Sequence, residues 1–388
     1  MSLTGGGTGG GTGGGTGGGT GGGTGGGTGG DVVGGDAFAT PLFAQAINSH
    51  RGACIDPADP AAWRQPSRND PENHTHVHRW EPWVRAYLYA QRLLGSLVFD
   101  VHGPDDGPRG GRFSVTLTTT LAGGQGARLV TLVRPPQRVY EQQVPLVLDW
   151  ADLREERTAE ILAQISNSYA FWGMTVPIQS DRLRYTREIL DAAVQFAMFV
   201  EMRFKHELAC LRPTDLSPQV QPMITTPGHG STPSGHCVES YVIKVVLTAL
   251  LGMSLEPDPP AEQRSLIIQW ERTAARIATN RVIAGLHYPL DNLAGRLLGE
   301  VLGRYFVHCC VVGAECLAPW WWGGTFLGDR CQGNEQFEPG VQGLFDNSTR
   351  FYGAPRATRT LPEPPRSELQ VMWATAREEL SRLQLVYT

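Results

Sequence analysis

The chain has 388 residues, 33 of them basic and 38 acidic, for a net charge of −5. That length accommodates one large or two ordinary domains with a substantial core, and the mild negative charge argues against a general nucleic-acid binder. No run of about 18 uncharged apolar residues occurs, so no membrane span is expected.

Residues 4–30 are a tandem repeat, with Thr at 4, 8, 12, 16, 20, 24 and 28 and glycines between. The first 35 residues hold 22 of the chain's 48 glycines. Composition reads residues 1–35 as a flexible leader. The alternative is an assembly element joining copies into a homo-oligomer, which would require ordering many glycines. No basic region followed by an apolar stretch opens the chain, so no secretory signal is expected. The seven cysteines include the adjacent Cys309 and Cys310. The odd number predicts reduced thiols and a cytoplasmic setting.

The next region, residues 36–97, has helical patterning. Ala37–Ser49 and Trp83–Leu97 carry apolar residues three and four apart, with a Pro-rich polar connection between them. Within that connection His74, His76 and His78 alternate. An extended backbone would put all three on one side and could hold a metal; the plainer reading is a polar loop before a helix start at Trp80–Trp83. Residues 98–150 change character. Phe113–Leu121, Ala127–Val133 and Val139–Leu148 are rich in β-branched residues and separated by Gly-Gly and Pro-Pro breakers. They predict a small antiparallel β excursion.

Residues 151–310 return to helical spacing, with predicted spans Leu153–Ser166, one within Ser180–Leu211, Ser234–Leu251, Ala261–Ala284 and Pro289–Cys310. The C-terminal extension, residues 311–388, opens with Trp320, Trp321 and Trp322. These are read as packing the tail onto the body rather than as a ligand platform. An amphipathic helix near Ser367–Leu385 closes the chain. The fold expected is mainly α, a helical bundle with the β excursion inserted.

Three segments carry the chemistry. The first, KHELACLRP, runs from Lys205 to Pro213. Only two of the basic residues are lysines, Lys205 and Lys244, so a lysine at 205 suggests a site wanting a compact ammonium. Lys205 and Arg212 are read as two turns apart on one helix, facing one side and stopped by Pro213. The second segment is Pro233-Ser234-Gly235-His236, before an apolar helical run. A helix start offers free N–H groups and a positive end. Gly235 lets an anion approach, Ser234 is both a hydroxyl donor and an N-cap candidate, and His236 is a candidate acid or base. In the third, Arg281 ends one helix and His287 precedes Pro289, which suits the first turn of the next. Asp291 can accept a hydrogen bond from one His287 nitrogen, leaving the other as nucleophile or ligand. Together these groups could hold a tetrahedral or trigonal-bipyramidal oxyanion.

The three motifs resemble the superfamily of vanadium-dependent haloperoxidases and type-2 phosphatidic-acid phosphatases (PAP2). Its signature is a Lys and an Arg-Pro at this spacing, then Pro-Ser-Gly-His, then an Arg with His and Asp spaced as here. Asn280 stands where a Ser often precedes the Arg. The resemblance implies the helical bundle of that superfamily, in which bulky members often dimerise. It implies that Lys205, Arg212 and Arg281 hold the equatorial oxygens of vanadate or phosphate, with Ser234 and the Gly235 amide adding hydrogen bonds. His287 would bond to vanadium or attack phosphorus, His236 would serve the opposite apex, and Asp291 would orient His287. His229 resembles a second histidine of bromoperoxidase members, and Met202 stands where a fungal-type chloroperoxidase has an aromatic. The favoured expectation is a vanadate-dependent enzyme oxidising halide, bromide above all, with hydrogen peroxide, and passing it to a small organic acceptor. The alternatives are an acid phosphatase working through a phosphohistidine in the same cage, and an assembly or filament-forming protein with a relict anion site.

Overall fold

The structure, a computed structural model, describes residues 45–50, 74–103, 113–121, 126–165, 168–178, 181–312, 320, 322–355 and 357–387. The Gly/Thr leader, most of the Ala37–Ser49 helix and Trp321 lie outside them. The chain divides into two compact units at Arg85 and Ala86. In the first, residues 45–50 are helical. His74–Arg79 forms a 3-10 helix rather than an extended segment or a loop. Three residues per turn spread alternating side chains around the axis, and among the described residues no cluster of three or more His, Cys, Asp or Glu could hold a metal ion. Helix α1 (Pro82–Gly95) runs across the division.

The second unit carries a five-stranded sheet and the helical bundle. Strands β1 (Leu97–His102), β2 (Ser114–Thr119) and β3 (Ala127–Val133) form an antiparallel meander. In β2, Val115, Leu117 and Thr119 point inward while Ser114, Thr116 and Thr118 are half-buried, the alternation of a pleated strand with one covered face. Thr116 and Thr131 share a hydroxyl hydrogen bond of 2.9 Å across the β2–β3 pair.

Two features of this sheet differ from the sequence reading. Val139–Leu148 is not a strand but lies in helix α2 (Gln137–Trp150). Its buried positions Val139, Tyr140, Gln143 and Val147 fall at spacings of three and four, a helical face that overrides the β-branched composition. The sheet is also mixed rather than antiparallel. β4 (Gly324–Leu327) lies parallel to β3, and β5 (Tyr352–Gly353) adds antiparallel to β4. A parallel pair needs a long crossover, and here the crossover between β3 and β4 contains the bundle that holds all three motifs.

That bundle comprises α3 (Arg154–Ala163), the short α4 (Tyr169–Trp172), α5 (Arg184–Leu208), the short α6 (Pro213–Leu216), α7 (Gly235–Leu250), α8 (Ala261–Ile283) and α9 (Pro289–Cys310). Helix α10 (Glu368–Arg382) packs on α5. None of these helices is long and apolar enough to cross a membrane. Helix α7 is central, touching α5, α8 and α9, and its apolar residues are almost all buried. Trp320 and Trp322 are buried as well; Trp320 bridges to Arg359 within the C-terminal extension, and Arg304 of α9 lies over its ring.

The most extensive helix contact among the described residues, α7 on α9, rests on a glycine stripe. Gly295, Gly299 and Gly303 recur every four residues and present bare backbone to α7. A Cβ at Gly299 would lie 2.6 Å from the Val238 carbonyl oxygen and 2.7 Å from the Tyr241 Cβ. Neither neighbour is a flexible tip that could swing aside. We expect Gly299→Ala to destabilise the fold by about 1–3 kcal/mol through overpacking. Exposed Gly95→Ala, with open space around its Cβ, should lose nothing; urea denaturation of the two variants checks this.

Candidate active site

The stripe brings two helix N-termini side by side. The Ser234 N–H, at the N-cap of α7, donates to the Asp291 carbonyl in the first turn of α9, at 3.0 Å. The Asp291 side chain is wholly buried and has four donors. The Ser231 hydroxyl lies at 2.6 Å, the Tyr288 N–H at 3.0 Å and the His287 Nδ1 at 3.1 Å. Thr232 donates to its second oxygen, and Tyr140 from α2 shares a 2.6 Å bond with Thr232. Burial pushes the Asp291 carboxyl up, and the Ser231 and Thr232 hydroxyls pull it back down. Gln143 accepts the free Leu290 N–H at 3.1 Å, so α2 also holds this helix start.

These bonds fix the His287 tautomer. Nδ1 must donate, because Asp291 only accepts. Nε2 is then a bare lone pair, and it accepts from Arg212 Nη1 at 3.0 Å. Burial is the main cause that holds the His287 pKa well below its ordinary value, with the Arg212 and Lys205 charges next. The ring is neutral and its Nε2 is available to an electrophile.

Arg212 does not share a helix with Lys205. α5 ends at Leu208, where Ala209 takes a left-handed conformation (φ 47°), and Arg212 sits at the N-cap of α6. The two cations converge because the chain turns back between them. Arg212 donates to the His229 and Leu286 carbonyls at 3.0 and 2.8 Å and approaches His229 Nδ1 at 3.1 Å. Lys205, almost fully buried, donates to the Pro233 carbonyl beneath the Ser234 loop. Met202, one turn earlier on α5, is exposed instead.

Arg281 is 1 % exposed, yet only its Nη2 is used, donating to the Ile161 carbonyl at 3.1 Å and to Gln164 at 3.2 Å. Its Nε and Nη1 are buried without a hydrogen-bond partner, as is the Ser234 hydroxyl. Ser234 occupies the N-cap position but its side chain makes no cap bond. The first N–H groups of α7 add further unsatisfied donors. Buried donors are rarely left unpaired; here Arg281, Lys205 and Arg212 all act on His236, and the Glu201 and Glu239 carboxylates face Lys205 and Arg281. That donor set fits a tetrahedral oxyanion.

His236 Nε2 donates to the Gln164 carbonyl at 2.9 Å. Burial first, then the Arg281 charge, lowers its pKa to about 3. His229 is lowered to about 4 by burial and by Lys205. Gly235 has a neighbour absent from the sequence reading: a Cβ there would lie 2.6 Å from Oε1 at the tip of Glu201. Glu201, four residues before Lys205, is raised to about 8, chiefly by burial. Ser231, Thr232, Gln164 and Glu201 were not singled out from sequence. Ser231 and Thr232 directly precede the Pro-Ser-Gly-His motif and were within reach; Gln164 and Glu201 carry no local signal.

Comparison with known proteins agrees with this geometry. Residues 189–312 match the family model of the PAP2 superfamily. The chain is 30% identical over 100 residues to the vanadium-dependent bromoperoxidase of Ascophyllum nodosum, covering 21% of this chain and 18% of that protein. Both matches support membership of the PAP2 and haloperoxidase superfamily.

Burial lowers the Lys205 pKa to about 8, so Lys205 is charged below that pH and neutral above it. Inorganic phosphate, already mainly dianionic by about pH 8, should bind more weakly as pH rises above about 8. A bound anion draws the ammonium pKa upward and shifts the transition to higher pH. Calorimetric titration with phosphate tests this. Lys205→Arg, whose charge persists, should flatten the profile; an identical profile in both proteins would remove Lys205 from the anion site.

Proposed function

We propose that this PAP2-superfamily chain is a vanadate-dependent haloperoxidase that oxidises halide, bromide above all, with hydrogen peroxide. The observation carrying this reading is the set of buried, unpartnered donors, Ser234 Oγ with Arg281 Nε and Nη1, around the cation pocket that His287 Nε2 faces.

Within this reading Lys205, Arg212 and Arg281 hold the negative charge of the oxyanion, and Ser234 and the α7 N-terminus supply neutral hydrogen bonds to it. Asp291 keeps the proton on His287 Nδ1 and so keeps Nε2 free to bond. Vanadate held there supplies a Lewis acid that activates peroxide toward halide without redox-active side chains. Lys205 would hydrogen-bond the oxygen that leaves, since an ammonium rotates while a guanidinium fork is rigid. His229, on Arg212, is the residue that would tune the halide preference. The similarity to a bromoperoxidase supports bromide.

A phosphatase using His287 as nucleophile is the second reading, since the same donors suit a phosphoryl group. It would need His236 to protonate the leaving group. In this structure His236 Nε2 donates to the Gln164 carbonyl, so that role would require the bond to Gln164 to be exchanged.

The test is bromination of a β-diketone by purified protein supplied with orthovanadate, bromide and peroxide. We expect turnover in the wild type, none in His287→Ala, and a loss of about 10²-fold in kcat for Ser234→Ala. Hydrolysis of an aryl phosphate without bromination would replace this reading with the phosphatase. Binding of phosphate with neither activity would leave only the anion site.

A further inference from the structure

Glu201, on α5, is a buried carboxyl to which neither reading of the oxyanion pocket gives a role. It is 1 % exposed, and its Oε2 is buried without a hydrogen-bond partner. Lys205 lies one turn further along α5, but its ammonium turns to the Pro233 and Ser231 carbonyls instead of closing an ion pair with Glu201. Glu201 Oε1 lies against the bare Cα of Gly235, 2.6 Å from where a Cβ would stand. Gly235 opens α7, so its N–H is among the free donors of that helix start. The carboxyl therefore sits at the wall of the oxyanion pocket, beside the amide offered to the anion.

An ionised carboxylate buried with an oxygen unsatisfied is costly. The charged and titratable groups around Glu201 are Lys205 on its own helix, Arg212 at the start of α6, and Glu239 and Cys237 on α7. Lys205 and Arg212 favour the charged form, whereas burial and Glu239 oppose it, and burial is the largest of these effects. Glu239 is four residues beyond Gly235 and so shares its face of α7; Lys205 and Arg281 act on it in turn. Two neighbouring carboxyls do not both ionise cheaply. Glu201 is thus held neutral below about pH 8. A neutral carboxyl carries a proton that it can donate, and Oε2 meets no acceptor among the described residues.

We propose that Glu201 is a further anion-binding residue, a neutral carboxylic acid whose hydroxyl hydrogen-bonds an oxygen of the bound oxyanion. Its missing partner is then the anion itself, as for the unpartnered donors of Ser234 and Arg281. A hydroxyl donating to an anionic oxygen makes a short, strong hydrogen bond. It adds a donor without adding positive charge to a pocket where Lys205, Arg212 and Arg281 already repel one another. The proposal rests on the anion site and not on which reaction that site performs.

The experiment is calorimetric titration of the full chain with sulfate, a tetrahedral dianion that does not titrate near neutral pH, in the wild type, Glu201→Gln and Glu201→Leu. Below about pH 8, Glu201→Gln keeps a donor and should bind within about threefold of wild type, whereas Glu201→Leu, of similar bulk but without a donor, should bind about tenfold or more weakly. Raising the pH through that value ionises Glu201 and weakens binding. Glu201→Gln should lose less affinity, the remaining slope coming from Lys205. Difference infrared spectra should show a protonated-carboxyl band, absent from Glu201→Gln, that shifts when sulfate binds. Binding about tenfold tighter in Glu201→Gln would overturn the proposal, because Glu201 would then be an ionised carboxylate opposing the anion. Wild-type affinity in Glu201→Leu, or the same pH profile in wild type and Glu201→Gln, would overturn it as well. Should Glu201→Leu fail to fold, the Glu201→Gln titration and the infrared band decide alone. Absence of sulfate binding in the wild type would remove the anion site and Glu201 with it, whereas the other outcomes spare the site.

Discussion

One carboxylate holds the candidate site together. Asp291 receives hydrogen bonds from the Ser231 and Thr232 hydroxyls, the Tyr288 N–H and His287 Nδ1, and its own carbonyl receives the Ser234 N–H. It therefore ties the loop before α7, the start of α7, the start of α9 and the imidazole into one unit. Four donors satisfy a buried charge that would otherwise be costly. The same bonds decide which nitrogen of His287 is bare. Structure and chemistry depend here on a single side chain.

The oxyanion pocket concentrates like charges that repel one another. Lys205, Arg212 and Arg281 are all nearly buried, and burial lowers the pKa of each. Such an arrangement is unfavourable without a counter-anion. Glu201 and Glu239 lie close enough to act on Lys205, yet burial raises both, so they offset the cations incompletely. The remaining positive field is what an oxyanion would neutralise. Burial first, and that field after it, keeps the three histidines neutral, suiting His287 to bond rather than to carry charge.

Helix α7 links two polar clusters of the bundle. Its N-terminus faces the oxyanion pocket, and Lys244, two turns further along, bridges Glu271 of α8 and Glu300 of α9. The glycine stripe of α9 lets the two backbones approach closely enough for both clusters to form. It also seats Arg296, Glu300 and Arg304, which lie beside or between those glycines, in the second cluster.

Much of the bundle was legible in the sequence. Spans such as Ala261–Ile283 and Pro289–Cys310 are long and strongly patterned, and Pro289 marks a helix start. The sequence by itself also determined which residues carry charge and the order of the three motifs, because those are properties of side chains and spacing. It misjudged Val139–Leu148, where β-branched composition competes with a helical face that only burial reveals. It could not supply β4, whose partner β3 lies nearly 200 residues away in the chain, nor β5, which pairs onto β4. It placed Arg212 on the helix of Lys205, although a left-handed turn at Ala209 separates them. Tertiary structure alone decided that Asp291 has four donors, that Arg281 and Ser234 keep unpaired donors, and that Glu201 lies against Gly235. Hydrogen-bond satisfaction and burial are relations between distant segments, and no local pattern encodes them.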